Sequence, residues 1–219
     1  MTFCAITPTR GDRPEFLEHC KWQIKRMELE PDEHIIVDYP PKSGDKDLLA
    51  RVRHGLILAE QHGHEFAYFV EDDDFYGPDY FIRMRAYEPR YDIIGDETTL
   101  YYHIVSNGFQ TEHHPGRASL FTTGIRISAF TGFDWNKLKP SHIFIDVNLW
   151  EYARKKRLRR KFVDTGAVGV KHGVGVTGGI GHRQRYRNFD TNWKFLASKV
   201  DEKSLEFYKA MHEKLKVNA

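Results

Sequence analysis

Three short apolar runs in the first third of the chain, at residues 3–6, 34–37 and 66–70, are separated by stretches whose apolar residues recur at helical spacing. The first stretch carries Leu17, Cys20, Ile24 and Met27 behind Asp12, a capping residue type, and Pro14, which suits a first helical turn. The second, over residues 45–61, places Leu49, Val52, Leu56 and Ala59 on one face. Strands joined through helices need crossover connections, and that dictates a parallel sheet with helices packed on its faces. Ligands of such sheets bind beyond the carboxyl ends of the strands, where the segments starting at Thr7, Asp38 and Glu71 would gather.

The third apolar run, Phe66-Ala67-Tyr68-Phe69-Val70, continues without a break into Glu71-Asp72-Asp73-Asp74. Carboxylates packed this closely repel one another, and a cation among them keeps them ionised at low cost. All-oxygen ligands favour Mg²⁺ or Mn²⁺, which retain open positions for the phosphates of a substrate. A metal–diphosphate site is therefore expected here. The apolar lead-in and the aromatic exit Phe75-Tyr76-Gly77-Pro78 argue against an idle acidic turn.

The second half is less regular. Strands are expected at 91–96, 100–105, 119–127 and 168–172, and a helix from about Asp146 with Val147, Trp150 and Ala153 facing inward. From Asp201 the tail is amphipathic, with Leu205, Tyr208 and Leu215 on one side. The glycine-rich segment after His172 lacks the Gly-Lys-Ser/Thr of a phosphate-binding loop and the setting of a dinucleotide fingerprint. It reads as a loop closing over a donor, with Arg183 or Arg185 reaching a diphosphate, or as a plain connection with exposed arginines.

With 219 residues, 40% of them hydrophobic, the chain can bury one full core, and a single domain is the simplest count. No apolar run reaches the roughly 18 residues of a membrane span, and residues 1–6 read as a strand rather than a signal peptide. Cys4 and Cys20 are too few for a disulfide framework and are expected as buried free thiols, consistent with a cytoplasmic protein. Net charge is only +2, yet Arg154-Lys155-Lys156-Arg157-Leu158-Arg159-Arg160-Lys161 is a dense basic block, and Arg183, Arg185 and Arg187 form a second. Either could meet phosphates, although the first also suits a solvated helix end.

A mostly parallel first half whose third strand ends in Asp-x-Asp resembles the nucleotide-sugar glycosyltransferases of the GT-A fold. Three further segments are similar to the large inverting family of that fold: Thr131-Gly132-Phe133-Asp134, Phe144-Ile145-Asp146-Val147-Asn148-Leu149, and Lys171-His172. The resemblance spans most of residues 3 to about 182, and it departs from the family where Ile145 replaces the first acidic residue of a Glu-Asp pair. It implies an α/β, Rossmann-like GT-A domain with a mostly parallel central sheet and helices on both faces. That domain would comprise a nucleotide-binding half (1–76), an acceptor and catalytic half (77–182) and a C-terminal tail (183–219).

The implied roles follow residue by residue. Asp74, with Asp72 and His172, would hold Mn²⁺ or Mg²⁺, although Glu71-x-Asp73 fits the motif as well as Asp72-x-Asp74. Thr7, Pro8, Thr9, Arg10, Asp38, Arg51, Arg53, Asp72 and Asp73, with Arg183 and Arg185, would line the donor pocket, Asp38 reading a uracil edge. Asp146 would be the general base, or an ordinary helix cap. The implied reaction transfers a sugar from a nucleoside diphosphate, UDP first among them, to a hydroxyl with inversion. The acceptor stays open between a glycan, a small metabolite and a hydroxymethylated base in DNA, as in phage enzymes that decorate their DNA. Two rivals use the same residues: a nucleotidyl- or phosphotransferase, and a nucleic-acid-binding module with a structural ion.

Overall fold

The computed structural model describes residues 1–39, 47–139, 144–173 and 186–216. The main sheet has six strands in the order β2-β1-β3-β7-β4-β8, formed by β1 (Phe3–Pro8), β2 (Glu33–Val37), β3 (Phe66–Phe69), β4 (Ile93–Gly95), β7 (Thr123–Arg126) and β8 (Arg160–Phe162). β1 pairs in parallel with both β2 and β3, and β4 with β8; β7 alone runs the other way, between β3 and β4. A second, four-stranded sheet has the order β10-β6-β5-β9, from β5 (Thr98–His103), β6 (Gly108–His113), β9 (Val168–Lys171) and β10 (Asn188–Phe189). The fold is thus α/β with two mixed sheets rather than one.

Side chains alternate along β1. Cys4 and Ile6 face α2 (Leu48–Gln61) and α4 (Ile145–Lys155), whose Val52, Leu56, Leu149 and Trp150 complete one core. Phe3 and Ala5 face α1 (Pro14–Lys25) and α3 (Tyr80–Arg85), which contribute Cys20, Ile24, Phe81 and Met84 to the other. Both strand faces are therefore covered, as a parallel sheet requires. A third core joins the second sheet to α5 (Lys194–Ala197) and α6 (Glu202–Lys216) through Tyr102, Val170, Leu196, Tyr208 and Met211. Both cysteines are buried and free.

Several elements depart from the pattern read in the sequence. The run 119–127 is split by backbone geometry into a 3-10 turn (Leu120–Thr122), β7, and a second turn (Ile127–Phe130). Close contact explains the strand within it: a Cβ on Gly124 would lie 2.3 Å from the Tyr68 ring, so only glycine lets β7 sit against β3. Val147 is 37% exposed, and α4 instead buries Ile145, Asp146, Leu149, Trp150 and Ala153. In α6 the buried residues are Ser204, Tyr208, Met211 and His212, with Leu205 and Leu215 at the margin. Asp12 does not cap α1: Arg13 holds that position without a side-chain cap bond, and Pro14 opens the helix.

His19 on α1 is buried and stacked on Phe207, with ring centroids 4.0 Å apart. Burial pushes its pKa down to about 4. Because the unfolded chain holds the proton up to about pH 6.5, folding stability is present above that value and is lost as pH falls from there toward the folded pKa. His19→Phe, which keeps the stack, should flatten this part of the profile by up to about 1.4 kcal/mol per pH unit, read from denaturant unfolding between pH 7 and 4.5.

Candidate active site

The chain leaves β3 through Val70, whose N–H donates to Ile6 O at 2.9 Å, and turns at once into the acidic run. The turn is held from several sides. Phe75 exchanges backbone hydrogen bonds with Val168 of β9 at 2.9 and 3.0 Å. Gln23 of α1 donates to Asp74 O at 3.0 Å and accepts from Tyr76 N–H at 2.8 Å. Glu71 N–H donates to the Tyr76 hydroxyl at 2.8 Å, and Tyr208 of α6 donates to Asp73 O at 3.4 Å. Elements from both sheets and both ends of the chain thus fix the direction of each carboxylate.

Arg13 organises the first two aspartates. Its Nη2 lies 2.5 Å from Asp72 Oδ1 and its Nη1 2.8 Å from Asp73 Oδ2. Thr9 Oγ1 donates to the other Asp72 oxygen at 2.7 Å. His172 Nε2 sits 3.0 Å from Asp73 Oδ2 and 2.8 Å from Arg13 Nη1. The guanidinium and Lys171 hold Asp73 below the usual carboxylate range against the effect of burial, and Arg13 itself is raised by the acids around it.

Asp74 is fully buried. Its Oδ1 accepts from Val170 N–H at 2.7 Å and lies 3.6 Å from Lys171 Nζ, whereas its Oδ2 has no hydrogen-bond partner among the described residues. Burial drives Asp74 well above the usual range and pushes Glu71 up to about 7, while Lys171, nearly buried, is raised by Asp74, Asp73 and Glu71. One oxygen each from Glu71, Asp73 and Asp74 falls within 4.8 Å of the others. Among the described residues four carboxylates share two fixed cations, Arg13 and Lys171, and the surplus falls on Asp74 and Glu71, whose charged forms burial disfavours until a further cation joins them. An orphaned buried oxygen, converging oxygens and that surplus fit a hard divalent cation such as Mg²⁺ or Mn²⁺.

The expected site residues are distributed as follows. Thr9, Asp72, Asp73, Asp74 and His172 come together in this cluster. The convergent trio, however, is Glu71, Asp73 and Asp74, while Asp72 bonds to Arg13 and Thr9, and His172 to Asp73 and Arg13. Thr7 is buried with its hydroxyl 2.8 Å from His34 Nε2, and Pro8 ends β1 opposite Val37. Arg10 lies 3.6 Å from Asp12, and Asp38 is exposed directly after β2. Arg51 is buried beneath the loops: its guanidinium donates to the carbonyls of Thr9, Val37 and Tyr39 and pairs with Asp47 at 2.7 Å. It shapes the loops after β1 and β2 from below. Arg53 lies apart, exposed on the outer side of α2 and bonded to Asn136 Oδ1 at 3.2 Å. Arg183, Arg185 and residues 174–181 of the glycine-rich segment lie outside the described residues.

Asp146 sits in the first turn of α4, after Phe144 at the cap position. The helix leads to β8 at the amino edge of the sheet, so its own start faces the carboxyl edge that carries the acidic run. Arg117 Nη1 donates to Asp146 Oδ2 at 2.5 Å, and its Nη2 lies 3.1 Å from His114 Nδ1. His114 meets the edge of the Tyr101 ring at 6.4 Å, and Lys171 Nζ lies 5.7 Å from the same ring. A continuous strip of side chains therefore runs from Asp74 to Asp146. Arg13 and Arg117 were not singled out in the sequence, and Lys171 was named there only as the neighbour of His172. The available signal was general: consecutive buried carboxylates require fixed cations, and basic residues flanking strand ends could supply them.

No protein-family model matches the chain, and no curated protein matches it by sequence. Solved structures do match in fold. A protein of Desulfovibrio desulfuricans G20, provisionally assigned as a nucleotide-diphospho-sugar transferase, superposes with a TM-score of 0.53 at 12% identity, over 98% of this chain and 99% of that one. Residues 1–349 of S. aureus TarS superpose with a TM-score of 0.51 at 13% identity, over 78% of this chain. This chain spans 60% of that TarS fragment. The shared feature is the fold.

Removing Arg13 should expose how much the cluster depends on it. Arg13→Met leaves Asp72 and Asp73 buried without their cation and should lower stability by roughly 3 kcal/mol, read from urea unfolding. Added Mn²⁺ should recover part of that loss.

Proposed function

We infer that the chain transfers a sugar from a nucleoside diphosphate to an acceptor hydroxyl. The observation that carries this reading is the convergence of Glu71, Asp73 and Asp74 at the carboxyl end of β3, with an Asp74 oxygen that has no partner among the described residues. The fold shared with a provisionally assigned nucleotide-diphospho-sugar transferase supports it. The donor is a UDP-sugar in this reading, with Asp38 and the loop from Thr7 to Arg10 at the nucleotide and Arg51 holding that loop in shape.

Glu71, Asp73 and Asp74 would hold Mg²⁺ or Mn²⁺, which neutralises a departing diphosphate. Arg13 and Lys171 keep the same corner from becoming too negative to admit phosphate oxygens. Asp146, paired with Arg117, takes the proton of the acceptor hydroxyl as the oxygen bonds to the anomeric carbon, on the face opposite the diphosphate, giving inversion. The basic block from Arg154 to Lys161 spans the end of α4 and the start of β8 at the amino edge of the sheet, so it does not line this site. A DNA acceptor would need other cations, Arg183, Arg185 and Arg187 being the candidates.

A titration with UDP, GDP, CDP and dTDP, each with and without Mn²⁺, tests the donor reading. One diphosphate at a hundred times its dissociation constant should raise Tm by roughly 5–10 °C, only with metal. Asp74→Asn should abolish that shift. No shift with any diphosphate, or a larger one with triphosphates, contradicts sugar transfer. With the donor named, Asp146→Asn should lower kcat of transfer by about 10²–10⁴ while leaving the diphosphate shift in place.

A further inference from the structure

A second cluster of ligating side chains lies at the opposite, amino edge of the main sheet. Glu33 is the first residue of β2, and His62 and His64 flank Gly63 in the turn between α2 and β3. Gly63 has φ of +79°, the left-handed conformation that lets the chain reverse between the two histidines. Both imidazoles then aim at one carboxylate: His62 Nδ1 and His64 Nε2 each lie 2.8 Å from Glu33 Oε2. One ligand atom from each residue falls within 4.8 Å of the others. The His64 side chain is 8% exposed, whereas His62 and Glu33, at 46% and 37%, leave the cluster open to solvent on one side.

We propose that Glu33, His62 and His64 form a zinc-type metal site that clips the start of β2 to the α2–β3 turn. Two imidazoles and one carboxylate are the donor set of a borderline cation such as Zn²⁺, unlike the all-oxygen set around Asp74 that suits Mg²⁺ or Mn²⁺. Bonds of about 2.0–2.1 Å in a tetrahedral site separate ligand atoms by about 3.3 Å. The observed 2.8 Å contacts therefore need to open by only about half an ångström to admit the ion. The open side leaves the fourth position to water. A site of this kind stabilises the fold it bridges, since the unfolded chain does not hold the three ligands together. It stands independently of sugar transfer.

The test is calorimetric titration of tag-free, chelator-stripped full-length protein with Zn²⁺, with melting temperature read alongside. The wild type and Asp74→Asn should each bind one equivalent at this site and melt higher with it. His62→Ala, which removes an exposed side chain and should fold normally, is expected to lose more than about tenfold in affinity and the accompanying Tm shift. Glu33→Gln should behave in the same direction. Zinc binding unchanged in His62→Ala, binding lost in Asp74→Asn but kept in His62→Ala, or no binding by the wild type would each overturn the proposal.

Discussion

The arrangement of the carboxyl edge depends on the electrostatics of one turn. Glu71, Asp72, Asp73 and Asp74 follow directly from a buried strand, and three of the four are buried themselves. Such a group is costly unless each charge has a partner. Arg13 spans Asp72 and Asp73, Lys171 reaches Asp74, and Gln23, Tyr76, Tyr208 and β9 tie down the backbone between them. The second sheet and α6 are therefore part of the site's support, and the position of β9 is inseparable from that of Asp74. The two carboxylates in excess of these cations, whose charged forms burial disfavours, give the turn its capacity for a divalent ion.

The first half of the fold was legible because its strands are apolar and its helices periodic. β1, β2, β3, α1 and α2 lie close to where the alternation of apolar runs puts them. Half of the second sheet was hidden: β5 and β9 lie near the expected runs, but β6 is largely polar and β10 only two residues long. β8, read as part of a basic helix end, is Arg160-Lys161-Phe162, an edge strand whose charges discourage further pairing and mask its β character. Among site residues, the acidic run announced itself by its neighbours in sequence. Arg13 and Lys171 did not, because their partners are separated from them by about sixty and about a hundred residues, and pairing at that range is a property of topology. Arg51, expected in the donor pocket, binds backbone carbonyls, a role that its position on α2 could not distinguish from contact with a ligand.

The two edges of the main sheet differ in chemistry. The carboxyl edge concentrates hard oxygen donors and fixed cations around a turn braced by three cores. The amino edge carries the Glu33, His62 and His64 cluster at the α2–β3 turn and, further along, the exposed basic residues that follow α4. This separation follows from parallel topology, which sends the ends of β1, β2 and β3 to one side and their starts to the other.

Electron paramagnetic resonance of Mn²⁺, titrated into the zinc-free protein with and without UDP, reports directly on the capacity of the acidic turn for a divalent ion. One Mn²⁺ bound per chain, held more tightly with UDP present and lost in Asp74→Asn, is the expected result. Free Mn²⁺ throughout, or binding that Asp74→Asn leaves unchanged, would contradict a metal–diphosphate site at the end of β3.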